Sequence, residues 1–374
     1  MPFLRAVLLA LVLGPPALAG DTEPHGLDLH ADFRLRMEQD WDSRRSDGTE
    51  REDRARARVR VRLGMTFTPY KRVSIGARLR SGSDLSQQSP HITIVDFDGG
   101  DTGDADFNLD KWYLRGHSEN GRFSGWVGRE ELPFWKQNEL FWDDDVTPAG
   151  LAGTLRYPAG ESGELTIHAG VFSLPVGMQR FSGTMGALQA VYATSIGETR
   201  LIVAGGYFAI EANTDDPDAV LLLGGDGLRD YRIVVGSTQL RLRAGRRPLR
   251  FGIDVIENLE DYAGPIADQT GGHVLSVHYG DTAQRGHWLV GLYSARIETL
   301  AVAGSYAQDD WVRWGSATQT RGSNLEGQEL RFAYAASSRI SLVARLYVVD
   351  SITTVEDGKR FRVDFNYRLN RSRR

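Results

Sequence analysis

The chain has no cysteine among its 374 residues, and this absence excludes several kinds of chemistry. No disulfide can brace the protein, and neither a thiolate nucleophile nor a thiolate metal site can be built. The chain also has no apolar run of about 20 residues, so no transmembrane helix is predicted. The formal net charge of −5 is mildly acidic, which does not indicate a nucleic-acid-binding protein.

The first residues contain, in order, the three elements of a secretory signal peptide. Arg5 supplies a positive charge, residues 6–13 form a short apolar core, and Ala17-Leu18-Ala19 has the small-x-small pattern of a cleavage site. The core is too short to span a membrane as a helix. Residues 1–19 are therefore predicted to be a signal peptide, and residues 20–374 a single mature domain.

Short segments of strictly alternating polar and apolar residues fill the rest of the chain. In one of them, every second residue is an arginine, and alanine or valine stands between: Arg54, Arg56, Arg58, Arg60 and Arg62. A period of two places the two sets on opposite faces of a β-strand. Because similar segments recur to the C-terminus, the pattern favours a barrel with lipid outside and water inside over a soluble sheet.

Sixteen such segments are predicted, joined by seven short and eight long connections that alternate along the chain. This alternation is typical of outer-membrane barrels, with short periplasmic turns and long extracellular loops. A β-sandwich would not require it, and a propeller or solenoid would show a repeat of fixed period. We therefore predict an all-β, transmembrane antiparallel β-barrel of about 16 strands. Tyrosines near predicted strand ends, including Tyr70, Tyr157, Tyr192, Tyr231 and Tyr279, are typical of interfacial girdles.

The strands next to the arginine-rich one add further arginines to the predicted lumen. The predicted basic lining comprises Arg34, Arg36, Arg54, Arg56, Arg58, Arg60, Arg62, Arg78, Arg80, Arg360 and Arg362. Two interpretations stay open. The arginines could attract anionic solutes, or they could form a salt-bridged wall that only holds the pore open, with Asp32, Glu38 and Asp364 among the balancing acids.

The long segment of residues 131–150 is too apolar for a loop washed by water, because it contains two phenylalanines and two tryptophans. It is predicted to fold into the lumen as a constriction loop. Its predicted functional residues are Glu139, Phe141, Trp142, Asp143, Asp144 and Asp145. If the three aspartates face the arginines, the opposed charges create a transverse field that filters solutes.

Parts of this region resemble the central signature of a bacterial family described as putative porins. The matching parts are Gly128-Arg129, Pro133-Phe134-Trp135, Phe141-Trp142-Asp143-Asp144-Asp145 and Pro148-Ala149-Gly150. The arginine-rich lumen gives a weaker resemblance to the alginate-export barrel family. The first resemblance implies a porin in the bacterial cell outer membrane and leaves the solute open.

Taken together, these features predict passive diffusion of small hydrophilic, mainly anionic solutes, with no cofactor and no metal. The expected surroundings are outer-membrane lipid and lipopolysaccharide, and a homotrimer is a candidate assembly. The alternatives are a specific channel for an acidic oligo- or polysaccharide, or a barrel enzyme or adhesin. Enzyme motifs such as His-Glu-x-x-His and Gly-x-Ser-x-Gly are absent. The acidic segment 96–106 does not fit the EF-hand template and is predicted to be an extracellular loop, with weak bridging by a divalent cation as the open alternative.

Overall fold

The computed structural model describes residues 26–373, apart from residues 101, 104, 317 and 318. The predicted signal peptide lies outside the described residues. Every strand pairs antiparallel with its neighbours, and the first strand also pairs with the last over Leu27–Trp41 and Lys359–Arg373, which closes the sheet.

The first nine strands form the N-terminal part of the wall. In chain order they are β1 (Gly26–Trp41), β2 (Arg54–Tyr70), β3 (Val73–Ser81), β4 (Ile92–Asp96), β5 (Phe107–His117), β6 (Phe123–Arg129), β7 (Ala149–Pro158), β8 (Gly163–Pro175) and β9 (Phe181–Ile196).

Eight further strands complete the wall. They are β10 (Thr199–Glu211), β11 (Tyr231–Ala244), β12 (Arg247–Asn258), β13 (Gly271–Gly280), β14 (Trp288–Ile297), β15 (Leu325–Ala335), β16 (Ile340–Ser351) and β17 (Asp357–Arg373). Two 3₁₀ helices, Pro217–Leu221 and Leu223–Leu228, lie between β10 and β11. None of the helices in the described part of the chain is long and apolar enough to cross a membrane.

Strand β4 was not predicted, and it does not add to the circumference of the barrel. It pairs with Arg56–Val59 of β2, a part of β2 that lies beyond the end of its pairing with β3. Strand β3 pairs directly with β5 on its other side. Sixteen of the seventeen strands therefore close the barrel, which confirms the predicted strand number.

The alternation in β2 sorts its side chains as predicted. On the outer face, Leu63 and Met65 are 52% and 53% exposed, whereas Arg60 on the inner face is buried. Further exposed apolar side chains of the same kind include Leu29, Leu35, Ile75, Leu79, Leu114, Val127, Val203, Phe251, Leu275, Leu292, Leu330 and Phe365. A soluble protein would not leave so many apolar side chains in water, so this surface fits lipid.

The tyrosine girdle is present only in part. Tyr70, Tyr157, Tyr192 and Tyr279 are exposed beside the short turns, as expected at a lipid–water interface. Tyr231 was predicted wrongly, because it is fully buried and its hydroxyl donates a 2.8 Å hydrogen bond to Asp226. A strand-end tyrosine can face either side of the wall, and position along the chain does not decide which.

Candidate pore constriction

The loop between β6 and β7, named L3 here (residues 130–148), lies across the barrel interior and contacts distant strands. The backbone N–H of Trp135 donates to the Gln189 side chain on β9 at 2.7 Å, and the Gln189 amide donates back to the Trp135 carbonyl at 2.8 Å. Further along, the Gln137 and Asn138 amides donate to the Asp254 carboxylate on β12 at 3.0 and 2.6 Å. Loop L3 is thus fixed at its tip as well as at its two ends.

The aromatic residues of L3 explain why it folds inward. Phe134 and Phe141 pack on Phe208 of β10, with ring centroids 5.1 and 4.5 Å apart. Burial of these rings removes apolar surface from water and stabilises the inserted loop. On β12, Gly252 faces the tip, and a Cβ atom there would overlap the Gln137 side chain. The glycine therefore permits the close approach.

A second loop, named L7 here (residues 298–324), also fills the interior, and it was not predicted from the sequence. Its Val302, Tyr306, Trp311 and Trp314 are buried. Tyr306 stacks on Trp142 of L3 with ring centroids 5.3 Å apart. The apolar content that singled out residues 131–150 is also present in L7, at Ala301-Val302-Ala303 and at the two tryptophans, so the signal was available.

Backbone hydrogen bonds join L3 and L7 into one structural unit. The Asp143 N–H donates to the Tyr306 carbonyl at 2.8 Å, and the Gln308 N–H donates to the Glu139 carbonyl at 3.0 Å. From the loop between β3 and β5, the Gln88 side-chain amide donates to the Ala307 carbonyl at 2.8 Å. Because these donors and acceptors are buried, each loop depends on the others for its hydrogen bonds.

Most of the predicted arginines are paired with carboxylates at neighbouring inward positions. Arg36 pairs with Asp364 at 2.7 Å, Arg54 with Asp40 at 2.8 Å, and Arg78 with Asp110 at 2.6 Å. Arg360 pairs with Asp40 at 2.5 Å, and Arg362 pairs with Glu38, also at 2.5 Å. Arg56 contacts Glu38, and Arg60 contacts Asp32. Arg58 lies 3.8 Å from Glu38 and donates to Ser89 at 3.1 Å. The wall is therefore closer to a salt-bridged lattice than to a uniformly cationic surface.

Arg80 was predicted to line the pore, but it lies beneath the loops. Its side chain is fully buried and donates to the carbonyls of Ser86 at 2.6 Å, Gln87 at 3.2 Å and Asp145 at 3.0 Å. It therefore joins L3 to the loop between β3 and β5. Arg129 on β6 is also buried and donates to the carbonyls of Thr147 at 2.9 Å and Met178 at 2.6 Å.

Four of the predicted arginines meet the predicted acidic residues at one cavity of about 120 Å³. The barrel strands contribute Arg34, Arg36, Arg60, Arg62, Arg345 and Arg368 to its lining. The loops contribute Glu139, Asp143, Asp144, Asp145, Asp309, Asp310 and His91. Among the described residues that line this cavity, every arginine therefore comes from the barrel wall, and every carboxyl group comes from L3 or L7.

The carboxyl groups at this cavity differ in pKa. Burial, together with the neighbouring Asp144, raises the pKa of Glu139 to about 7. Burial and Glu139 raise the pKa of Asp143 well above its usual range, and burial and Asp310 raise that of Asp309. Burial opposes ionisation of Asp310, but Arg362 and Arg36 overcome it and hold the pKa well below its usual value. Because the pKa of Glu139 lies near 7, the six loop carboxyl groups carry fewer than six full negative charges near neutral pH.

Further cavities adjoin this one and extend the arginine lining. A cavity of about 260 Å³ shares Arg345, Glu139 and Asp310 with it and adds Arg331. Another, of about 240 Å³, shares Arg331 and adds Arg250 on β12. Arg250, Arg331 and Arg345 were not predicted as lining residues, although each occupies an inward position of an alternating strand.

The aromatic part of L3 lines a separate cavity of about 320 Å³ beside the charged one. Phe141 is half-buried there, and Trp142 is buried and donates its indole N–H to the Val146 carbonyl at 3.2 Å. Among the residues that the structure describes, no group of three or more histidine, aspartate or glutamate side chains could hold a metal ion.

The barrel resembles solved outer-membrane proteins in fold. Pseudomonas putida OprB superposes with a TM-score of 0.58 at 13% identity, covering 92% of this chain and 94% of OprB. Vibrio cholerae OmpT in its trimer form gives a TM-score of 0.52 at 11% identity, with 93% and 100% covered. A BenF-like porin from Pseudomonas fluorescens gives 0.52 at 12% identity, with 92% and 99% covered.

No curated protein matches the chain significantly in sequence. The model of a family described as "Putative porin" matches residues 27–195, a region that contains the segment 128–150 on which the resemblance was based. The chain is a bacterial outer-membrane β-barrel of the porin fold, and its resemblance to the putative porin family is confirmed by that match.

Proposed function

We propose that this porin allows passive diffusion of small hydrophilic solutes and prefers anionic ones. The observation that carries the proposal is the separation of charge at the 120 Å³ cavity, with arginines on the wall and carboxylates on the loops. A transverse field of this kind orients and filters solutes by charge. The raised pKa of Glu139, about 7, reduces the negative charge on the loop side of the cavity near neutral pH, which favours the arginines.

The preference should be modest, because salt bridges neutralise much of the arginine wall. Arg60 contacts Asp32 and lies 3.8 Å from Asp145, and Arg36 is shared between Asp364 and Asp310. For the same reason we favour small solutes over an acidic polysaccharide. A polyuronate would need a continuous row of arginines whose free N–H groups a solute can reach. The Nε–H groups of Arg56, Arg58 and Arg60 have no partner, but they are buried.

The experiment is single-channel recording in planar lipid bilayers with a KCl gradient across the membrane. The proposal predicts an ohmic pore whose zero-current potential has the sign of anion preference. Raising the salt concentration should weaken the preference, because the Debye length falls from about 10 Å at 0.1 M to about 3 Å at 1 M. A closed barrel, or a cation preference that survives replacement of Arg34 and Arg62 by serine, would refute it.

We also propose that the barrel assembles as a homotrimer in contact with outer-membrane lipid and lipopolysaccharide. The support is the fold shared with OmpT, whose solved structure is described as a trimer form. Native mass spectrometry from detergent, compared with the mass of 41.5 kDa for one full chain, distinguishes a trimer from a monomer. Signal peptide removal would lower the mass of each subunit equally.

A further inference from the structure

One carboxylate of L7 lies among wall arginines that belong to several strands. The Asp310 side chain lies 3.1 Å from Arg36 and 3.4 Å from Arg345, and it also contacts Arg362. These arginines belong to three different strands: β1, β16 and β17. A single loop residue therefore supplies a counter-charge to three wall arginines at the constriction.

Backbone contacts hold Asp310 in this place independently of its carboxylate. Arg360 donates to the Asp310 carbonyl at 2.8 Å and to the Val312 carbonyl at 3.0 Å. The Asp310 N–H donates to the side-chain oxygen of Gln308 at 2.6 Å. Because these bonds do not use the carboxylate, removal of its charge should leave L7 in the barrel.

We infer that Asp310 limits the anion preference of the pore, acting from L7 rather than from the constriction loop L3. Its negative charge reduces the field of Arg36, Arg345 and Arg362 at the charged cavity. This inference deepens the proposed function and rests on it. It assigns part of the selectivity to a segment that the sequence motif of the family does not include.

The neighbouring Asp309 provides a matched control. It lines the same cavity one residue earlier in the chain, but no arginine of the described residues lies within 4 Å of its carboxylate. Burial and Asp310 raise its pKa, whereas Arg362 and Arg36 hold the pKa of Asp310 well below its usual value. Asp309→Asn and Asp310→Asn therefore make the same chemical change at adjacent positions with different arginine contacts.

The test records zero-current potentials and single-channel conductance for the wild type, Asp310→Asn and Asp309→Asn at neutral pH and low salt. We expect Asp310→Asn to raise the ratio of anion to cation permeability by about twofold or more, because three arginines lose a counter-charge. Asp309→Asn should change the ratio by less than half as much. Conductance of Asp310→Asn should stay close to the wild-type value, which shows that L7 remains inserted.

Two results would overturn the inference. In the first, Asp310→Asn and Asp309→Asn shift the zero-current potential equally. In the second, Asp310→Asn raises the conductance strongly with no change in ion preference, as expected if the residue only anchors L7. If Asp310→Asn does not fold, Asp310→Ser removes the same charge with a smaller side chain. That variant should also shift the preference toward anions, and no shift would overturn the inference.

Failure of this inference is distinguishable from failure of the proposed function. The proposed function depends on the sign of the wild-type zero-current potential. The role of Asp310 depends on the difference between Asp310→Asn and the wild type, which can be measured whatever that sign is. A wild-type pore that prefers anions, with no response to Asp310→Asn, would leave the proposed function intact and refute only the role of Asp310.

Discussion

The Gln137 side-chain amide at the tip of L3 donates a 3.0 Å hydrogen bond to Asp254 on β12, on the far side of the barrel. Gly252 on the adjoining wall leaves room for this contact, because a Cβ there would overlap the Gln137 side-chain oxygen and the Ser276 hydroxyl, and both side chains would have to move. The position of the constriction loop is therefore set partly by a residue that is far from it in sequence.

Replacement of Gly252 by leucine should displace the tip of L3 and change the conductance. A side chain at this inward position would push Gln137 away from Asp254, and the loop would lose its fixed end. Because conductance follows the open cross-section, we expect a change of roughly twofold in single-channel conductance, with larger current noise from the mobile loop. Gly236→Leu is the control, since Gly236 lies on neighbouring β11 with open space around it. Equal effects of the two substitutions would contradict the assigned contact.

Substitution of Arg80 by methionine should destabilise the protein rather than change its selectivity. The three carbonyl groups that accept hydrogen bonds from Arg80 would stay buried without a donor. Each such loss costs about 1–3 kcal/mol, and relaxation reduces the sum, so the free energy of unfolding should fall by about 2–4 kcal/mol. Urea unfolding in lipid vesicles measures it.

Arg54→Gln is the matched control for Arg80→Met. Arg54 is partly exposed, and its partner Asp40 keeps a second contact with Arg360. The control should cost less than about 1 kcal/mol. If Arg80→Met leaves the stability unchanged but alters the zero-current potential, Arg80 lines the pore after all.

Anion preference should decrease as the pH rises through about 7. The raised pKa of Glu139, about 7, means that its carboxyl is mostly neutral below that pH and mostly ionised above it. Ionisation adds a negative charge to the loop side of the cavity and offsets the wall arginines. Zero-current potentials measured about one pH unit below and above this pKa should therefore differ, with the larger anion preference at the lower pH.

Glu139→Gln should abolish that pH step and keep the larger anion preference at both pH values. The glutamine is neutral throughout, like the protonated glutamate. A pH step of unchanged size in Glu139→Gln would assign the titration to another group, and Asp144→Asn then becomes the next variant to measure.

The barrel architecture could be predicted from the sequence because lipid and lumen impose a period of two on every strand. The segment from Arg54 to Phe67 alone separates its arginines from its leucine, methionine and phenylalanine. The apolar content of residues 131–150 likewise pointed to the loop that lies across the interior. Strand β4 was missed because its five residues are too few to display a clear period.

The pairing of charges could not be predicted from the sequence, since it depends on register between strands and on loop placement. Arg36 stands opposite Asp364 only because β1 closes the barrel against β17. Asp310 reaches the same arginines only because L7 folds inward. Arg80 and Arg60 occupy equivalent places in the sequence pattern. Loop carbonyl groups cover Arg80, whereas Arg60 borders a cavity. The sequence therefore overstated the positive charge of the wall.

The zero-current potential of the wild-type pore under a KCl gradient tests the central claim most directly. The claim is that wall arginines outweigh the ionised loop carboxylates at the constriction. It predicts a potential with the sign of anion preference that shrinks toward zero as salt screens the charges. A potential with the sign of cation preference at low salt, unchanged in a variant with Arg34, Arg60 and Arg62 replaced by serine, would contradict it.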